Sequence, residues 1–476
     1  MNMTGSVLNQ EEIKRLHEES LKILEEVGVK IQSEKALGLL ESKGAFVNWD
    51  SQIVKIPRSL VETALNLCPK EFVLGARDSA FDINLPNTKS SINLDGMGTR
   101  VRDFNTGERR SAKLMDIADA ARVFDSMEGG TVLWPPLAAQ DVKSTASGFL
   151  GASTAFLNSR KHIQDEIKKP GEIPFLWELL KTILGSEEEI RNRKIYSATY
   201  CTVAPLSHDK DMLEGTMELT KQHAPILMYP MPATGSTGPA SLFSNIAVAN
   251  AESLSSVVIF QTQSPGTPLI YGAALGTIDR RTGAFLEGAV ETAIQLTAMT
   301  QMGKYYKLPT IVAGCLTDSH SIGIQAIMEK TLTTLPLVLA GVDVVQGSGF
   351  LESSMTLCLE QILIDGEILH LCNRMAQGID SSEEKNLFAD IGGVGPGNHF
   401  LKQKSTRTLF RTDEFYTPTL SIRDSYDSWL SMGSPDMVGN ARAKVESILT
   451  SEQPNPLDHQ KEKVIREIMK HAAETL

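Results

Sequence analysis

"PTIVAGCLTDSHSIGIQAIMEKTLTTLPLVLAG", residues 309–341, is the stretch on which the fold turns. It begins with a β-branched run (Thr310 to Val312), passes through a polar loop, and continues as an apolar helical pattern that stops at Gly341. A short strand feeding a long helix is the repeating unit of parallel α/β folds. The unit recurs. Strand-like runs fall at 91–96, 131–137, 162–167, 195–203, 225–231, 268–275, 309–316 and 342–349. Helical patterns such as "MDIADAARVFDSM" and "KDMLEGTMELTKQHA" lie between them. Eight strands alternating with helices over roughly 260 residues predict an α/β fold of the (β/α)8 TIM-barrel type. An open doubly wound sheet fits less well, because no G-x-G-x-x-G follows a first strand.

Outward from the barrel, residues 1–90 read as an N-terminal region of helices and short β-strands. Residues 91–360 form the barrel, and 361–476 a C-terminal extension of helices and loops expected to pack on it. The net charge is −12 and no Lys/Arg cluster forms a basic stripe, which argues against nucleic acid or an anionic membrane surface as partner. The apolar runs are broken well short of the ~20 residues a bilayer needs. The start turns polar and helical at once, unlike a signal peptide. Five scattered cysteines without a C-x-x-C suit a reducing compartment, so a cytoplasmic protein is expected.

In a barrel of this kind chemistry belongs at the C-terminal ends of the strands. Asp95 to Met97, Trp134, Gln164 to Glu166, Tyr200, Tyr229, Tyr271, Cys315, Gln346 and Phe350 stand there, and no lysine does, which counts against a Schiff-base aldolase. The chain has four Trp and eight Tyr, yet Trp134, Tyr200, Tyr229 and Tyr271 all fall at strand ends. Aromatic faces around a cavity suit a quaternary ammonium. For any one ring, ordinary packing is the competing reading; four together favour a cage, with Gln346 and Phe350 as further substrate contacts.

Metal ligands are thin. His162, Cys201 and Cys315 are conceivable zinc ligands, but no local pair has useful spacing, so the expectation is no metal. Asp318, His320 and Gly323 spell D-x-H-x-x-G, the pattern by which corrinoid-binding domains offer a histidine to cobalt. Here it follows the seventh strand of a barrel rather than an early strand of a small doubly wound sheet. No bound cofactor is therefore expected in the chain.

Several long stretches, "LHEESLKILEEVGVKI", "RVRDFNTGERRSAKLMDIADAARVFDSM", "AGCLTDSHSIGIQAIMEKTL", "IDGEILHLCNRMAQGI", "GGVGPGNHFL" and "SIRDSYDSWLSMGSPDMVGNARAKVESIL", resemble in one order the trimethylamine methyltransferase family of corrinoid-dependent methylamine metabolism. The resemblance implies a (β/α)8 barrel. The loop after its seventh strand carries pyrrolysine in the trimethylamine enzymes, at a position equivalent to Ser321 or Ile322. No pyrrolysine stands there, so the chain resembles the non-pyrrolysine branch. That branch implies methyl transfer from a quaternary amine, glycine betaine above all (giving dimethylglycine), to Co(I) of a separate corrinoid protein. His320 and His399 become candidate contacts for a carboxylate, and a homo-oligomer is expected. In the loop after "GPGNHFL", Ser405 precedes Thr406 where the family often has histidine. A zinc-dependent thiol or methoxy methyltransferase on the same barrel, or a non-catalytic quaternary-amine binding protein, are the alternatives.

Overall fold

The computed structural model describes residues 4–96 and 98–476; Met97 lies outside them. All eight expected runs form strands: β1 (Ser91–Leu94), β2 (Gly130–Leu133), β3 (His162–Glu166), β4 (Tyr196–Tyr200), β5 (Ile226–Met228), β6 (Leu269–Ala273), β7 (Thr310–Ala313) and β8 (Val344–Ser348). They close into a parallel barrel in sequence order, β8 pairing with β1. The expected fold is borne out.

Helices α1 (Leu114–Asp125), α2 (Ser147–Asn158), α3 (Ile173–Leu184), α4 (Lys210–Thr220), α5 (Leu242–Gln263), α6 (Val290–Tyr305), α7 (Ile324–Ala340) and α8 (Leu359–Gln377) surround the strands. Of these, α5 is long and apolar enough to cross a membrane, but 83% of its most apolar window is buried. The N-terminal helix Gln10–Lys22 packs on it.

One glycine is dictated by geometry. The β8–β1 register shifts between Gln346 and Ser348, and Gly347 at φ +138° sits in that irregularity. A Cβ there would lie 2.3 Å from the Gly314 carbonyl oxygen, so no side chain fits.

The N-terminal region adds a sheet of Val29–Ile31, Phe46–Asn48 and Ile53–Lys55, joined in parallel by Ser207–His208 from beyond β4. Two further sheets build up the C-terminal rim of the barrel. Arg100–Arg102, Arg109–Ser111, Phe350–Leu351 and Thr356–Leu357 form one; Ala233–Thr234, Gly276–Ile278 and Phe285–Leu286 form the other. They carry the loops that follow β1, β5, β6 and β8.

In the C-terminal extension, α9 (Met437–Thr450) packs on α8 and α1, and α10 (His459–Thr475) on α3 and α2. The chain between α8 and α9 is different. It exposes Ile379, Phe388, Leu401 and Tyr426 by 70% or more of their surface, while Leu420 is buried and Thr419 and Ser421 hydrogen-bond Glu367 of α8.

Candidate active site

The two-residue period of a strand sorts its side chains between lumen and helices. On β1 it brings Asn93 inward, with Asp95 two residues on. On β3 it does the same for His162, Gln164 and Glu166, and on β4 for Ser197 and Thr199, with Cys201 next. Hydrogen bonds between inward side chains of neighbouring strands agree: Asn93 Nδ2 donates to Gln346 Oε1 (3.1 Å), and Gln164 Nε2 to Ser197 Oγ (2.9 Å). At the upper end the Cys201 thiol donates to Glu166 Oε1 (3.1 Å).

Above these stand two aromatic rings. Trp134 and Tyr229 meet edge to face with centroids 6.1 Å apart. The Trp134 indole donates to Asp165 Oδ1 (3.0 Å), and its ring fills the space a Cβ on Gly96 would need. Phe350 lies against Gly98 in the same way. The Tyr229 hydroxyl and Gln346 Nε2 are both buried and have no hydrogen-bond partner. A buried polar atom without a partner costs about 1–3 kcal/mol, so this pair marks where a ligand or water belongs.

Carboxylates dominate the charge. Burial raises the Asp95 carboxyl, against the hydrogen bond from the Gly96 N–H and the nearby Ser354 hydroxyl and Gln346 amide. Burial, with the facing Asp95 adding to it, raises Glu287 to about 8. Burial also raises Glu166 and takes Asp165 to about 8. The Cys201 thiol is pushed well up by burial and by Glu166, so it is no thiolate at neutral pH.

The loops that hold these acids are cross-braced. Asp318 accepts from the Glu287 N–H (2.7 Å), the Gly288 N–H (3.1 Å) and Ser353 Oγ (2.8 Å), tying together the loops after β6, β7 and β8. Ser354 Oγ donates to Glu287 Oε2 (2.6 Å). Glu352, Ser353 and Ser354 all have φ between 49° and 59°, three successive left-handed residues of a kind L-amino acids rarely string together. Beneath them the buried Lys330 ammonium donates to the Cys315 carbonyl (2.6 Å) and to Asp365 Oδ2 (2.9 Å), which also accepts from the Gly349 N–H.

Of the residues expected from the sequence, the structure gathers Trp134, Tyr229, Gln346 and Phe350 at the upper end of the lumen. Two rings of the expected cage are corrected. Tyr200 and Tyr271 point outward into the helical layer. Tyr200 packs edge-on against Phe260 of α5, its hydroxyl 2.8 Å from His208 Nδ1; the Tyr271 hydroxyl donates to Asn250 Oδ1 of α5 (2.6 Å). Neither ring faces the lumen.

His320 is 86% exposed and stands 3.7 Å from Glu352 at the rim, so its side chain lies outside the lumen. Ser321 is exposed and Ile322 half-buried on the rim, beside Leu351 and Cys358. His399 is exposed in the stretch between α8 and α9, which the structure does not bring to the lumen. The three conceivable zinc ligands are apart as well. His162 sits at the start of β3, both ring nitrogens engaged by the Gly75 carbonyl and Ser197 Oγ. By the β3–β4 register Cys201 lies six residues further up the sheet, about 20 Å away at ~3.3 Å per residue. Among the described residues no three His, Cys, Asp or Glu side chains stand where one metal ion would be held.

Asp95 and Glu166 were legible as strand ends but not as site residues. The signal is the inward alternation N-x-D at 93–95 and H-x-Q-x-E at 162–166, polar where an ordinary barrel core is apolar. Glu287 and Ser354 carry no such signal, since they reach the site through rim loops.

A family model described as Trimethylamine methyltransferase (MTTB) matches residues 2–475. The Trimethylamine methyltransferase MttB of Methanosarcina thermophila is 31% identical over 459 residues, covering 95% of this chain and 94% of that protein. The Glycine betaine methyltransferase of Desulfitobacterium hafniense (strain Y51) is 29% identical over the same shares of both chains. Among solved structures, the Methanosarcina barkeri monomethylamine methyltransferase (MtmB) aligns over 94% of this chain and 90% of its own, with a TM-score of 0.54 at 13% identity, a likeness of fold. The chain belongs to the trimethylamine methyltransferase family.

Proposed function

We propose that the protein transfers a methyl group from a quaternary amine to Co(I) of a corrinoid carried by a separate protein. The observation that carries the reading is the upper end of the lumen, where the rings of Trp134 and Tyr229 stand among the carboxyls of Asp95, Glu166 and Glu287. Such an end suits a cation.

The chemistry asks little acid or base of the protein. As the methyl carbon passes in line to the acceptor cobalt, whose electron pair forms the new bond, the C–N pair stays on nitrogen. A quaternary donor leaves as a neutral tertiary amine and needs no proton. That agrees with the absence of pyrrolysine from this sequence. The chain's own residues would grip the ammonium, point one methyl outward, and keep water from the reacting centre. Because positive charge on nitrogen fades in the transition state, the carboxyls must hold the cation only moderately. The five cysteines are all unpaired and buried, compatible with a reducing cytoplasm.

The test incubates the protein with Co(I) cobalamin and, in parallel, glycine betaine, choline, tetramethylammonium or trimethylamine, following methylcobalamin formation by absorbance. Methylation from at least one quaternary amine, with trimethylamine poor, is the expected result. Methylation from trimethylamine and from no quaternary amine would overturn the reading. Tight binding of a quaternary amine with no transfer would make the protein a binding protein instead.

A further inference from the structure

We infer that the methyl donor is a quaternary ammonium without a carboxylate, whose tail is neutral and accepts or donates hydrogen bonds, a choline-like rather than a betaine-like molecule. This rests on the quaternary-amine reading above and sharpens it. Three carboxyls close on the upper lumen from three elements: Asp95 beyond β1, Glu166 on β3 and Glu287 beyond β6. Ser354 stands beside both Asp95 and Glu287.

Positive charges around the mouth are already committed or outside it. Lys330 is fully buried against Asp365, Arg109 is paired with Glu352 on the rim (2.8 Å), and Lys168 is exposed beside the outer crevice that Pro135 and Gly148 line. Among the described residues, a donor carboxylate would thus enter a low-dielectric space lined by carboxyls, with no unpaired cation on the lumen side to meet it and its own charge suppressing theirs. The atoms that do await a partner are neutral: the Tyr229 hydroxyl and Gln346 Nε2, on residues at most 2% exposed. A hydroxyl satisfies both, donating to the Tyr229 oxygen and accepting from Gln346 Nε2; an ether oxygen can accept from each.

The acids also give the site a pH response. The groups facing Asp95 and Glu287 are each other, Ser354, Gln346, Tyr229, Cys201, Glu166, Asp318 and Lys330. Crowded carboxyls keep a proton while the lumen lacks a cation. An arriving ammonium favours their ionised forms, so binding releases a proton and strengthens as pH rises towards 8.

Titration calorimetry on the full chain decides this, with choline, tetramethylammonium, glycine betaine and 3,3-dimethylbutanol (the uncharged isostere of choline) as probes, in buffers of different ionisation enthalpy. The expected result is choline bound at least tenfold more tightly than glycine betaine and than the neutral isostere, with proton release. D95N and E287Q should each narrow the gap between choline and betaine; if one of them fails to fold, the other carries the test. Betaine bound as tightly as choline, or neither bound, would overturn the inference. Because binding is read without cobalamin, a betaine-preferring enzyme that still methylates Co(I) would sink this inference and leave the proposed function standing.

Discussion

Tyr229 and Tyr271 occupy neighbouring strands of one barrel, and they do opposite things. Tyr271 lies within β6, turns outward, and has its hydroxyl bonded to Asn250; Tyr229 follows β5, turns inward, meets Trp134, and has its hydroxyl bonded to nothing. The outer ring is finished structure. The inner one is an unfinished contact, and that is the mark of a binding surface. The difference comes from one position of strand parity, to which composition and spacing between strand ends are blind.

The sharpest break in stability should come from neither ring but from what lies under the rim. Lys330→Met leaves the Asp365 carboxylate buried without its cation, and removing one partner of a buried pair costs about 3–5 kcal/mol. Chemical denaturation should show that loss. Replacing both partners by apolar residues should restore much of it.

Next come the outward tyrosines. Tyr271→Phe strips a hydrogen bond from buried Asn250, at about 1–3 kcal/mol of stability, with quaternary-amine binding unchanged. Tyr229→Phe, losing a hydroxyl without a partner, should cost less than Tyr271→Phe in stability. A Tyr229→Phe protein destabilised by more would break the comparison.

Buried acids at the upper end of the barrel set the pH response of the ligand-free protein. Glu287 and Asp165 titrate near 8 when folded, above their ordinary carboxyl values, so the folded state holds more protons than the unfolded one and stability falls as pH rises. His162 and His208, lowered by burial to about 4 and about 3, act in the opposite sense, but only below their unfolded pKa near 6.5. Between pH 6.5 and 8 the acids prevail, although Lys161, lowered by burial to about 7, opposes them above pH 7. The melting temperature should decline across that window, each such carboxyl contributing up to about 1.4 kcal/mol per pH unit, and a bound quaternary amine should flatten the decline.

The smallest effect belongs to His320. It is exposed, and an ion pair with Glu352 at 3.7 Å is worth about 0–1 kcal/mol. His320→Ala should leave stability within about 0.5 kcal/mol and binding unchanged.

How much of this was legible in the sequence follows from the same parity. The eight strands were readable because a buried parallel strand is a short apolar run bounded by turns, and the rhythm of "PTIVAGCL" and its helix repeats eight times. Trp134 and Tyr229 were found because large rings at strand ends are scarce. Tyr200 and Tyr271 share that signal because a strand end says how high a residue stands, not which way it faces. Counting in twos from Asn93 and His162 exposes Asp95 and Glu166. Glu287 and Ser354 stayed hidden, since their positions are set by rim loops that Asp318 braces from three directions, and no local pattern encodes such long-range geometry.

The central claim is that the inner ring binds and the outer ring only packs. The most direct measurement is tetramethylammonium affinity, by calorimetry, for Tyr229→Leu beside Tyr271→Leu, with unfolding of both followed in denaturant. A cation–π contact in a desolvated site is worth ~2 kcal/mol, and 1.4 kcal/mol is a factor of about ten in affinity. Tyr229→Leu should therefore bind at least tenfold more weakly, while Tyr271→Leu loses stability and keeps its affinity wherever it remains folded. Equal affinities in the two variants, or a loss confined to Tyr271→Leu, would contradict the account.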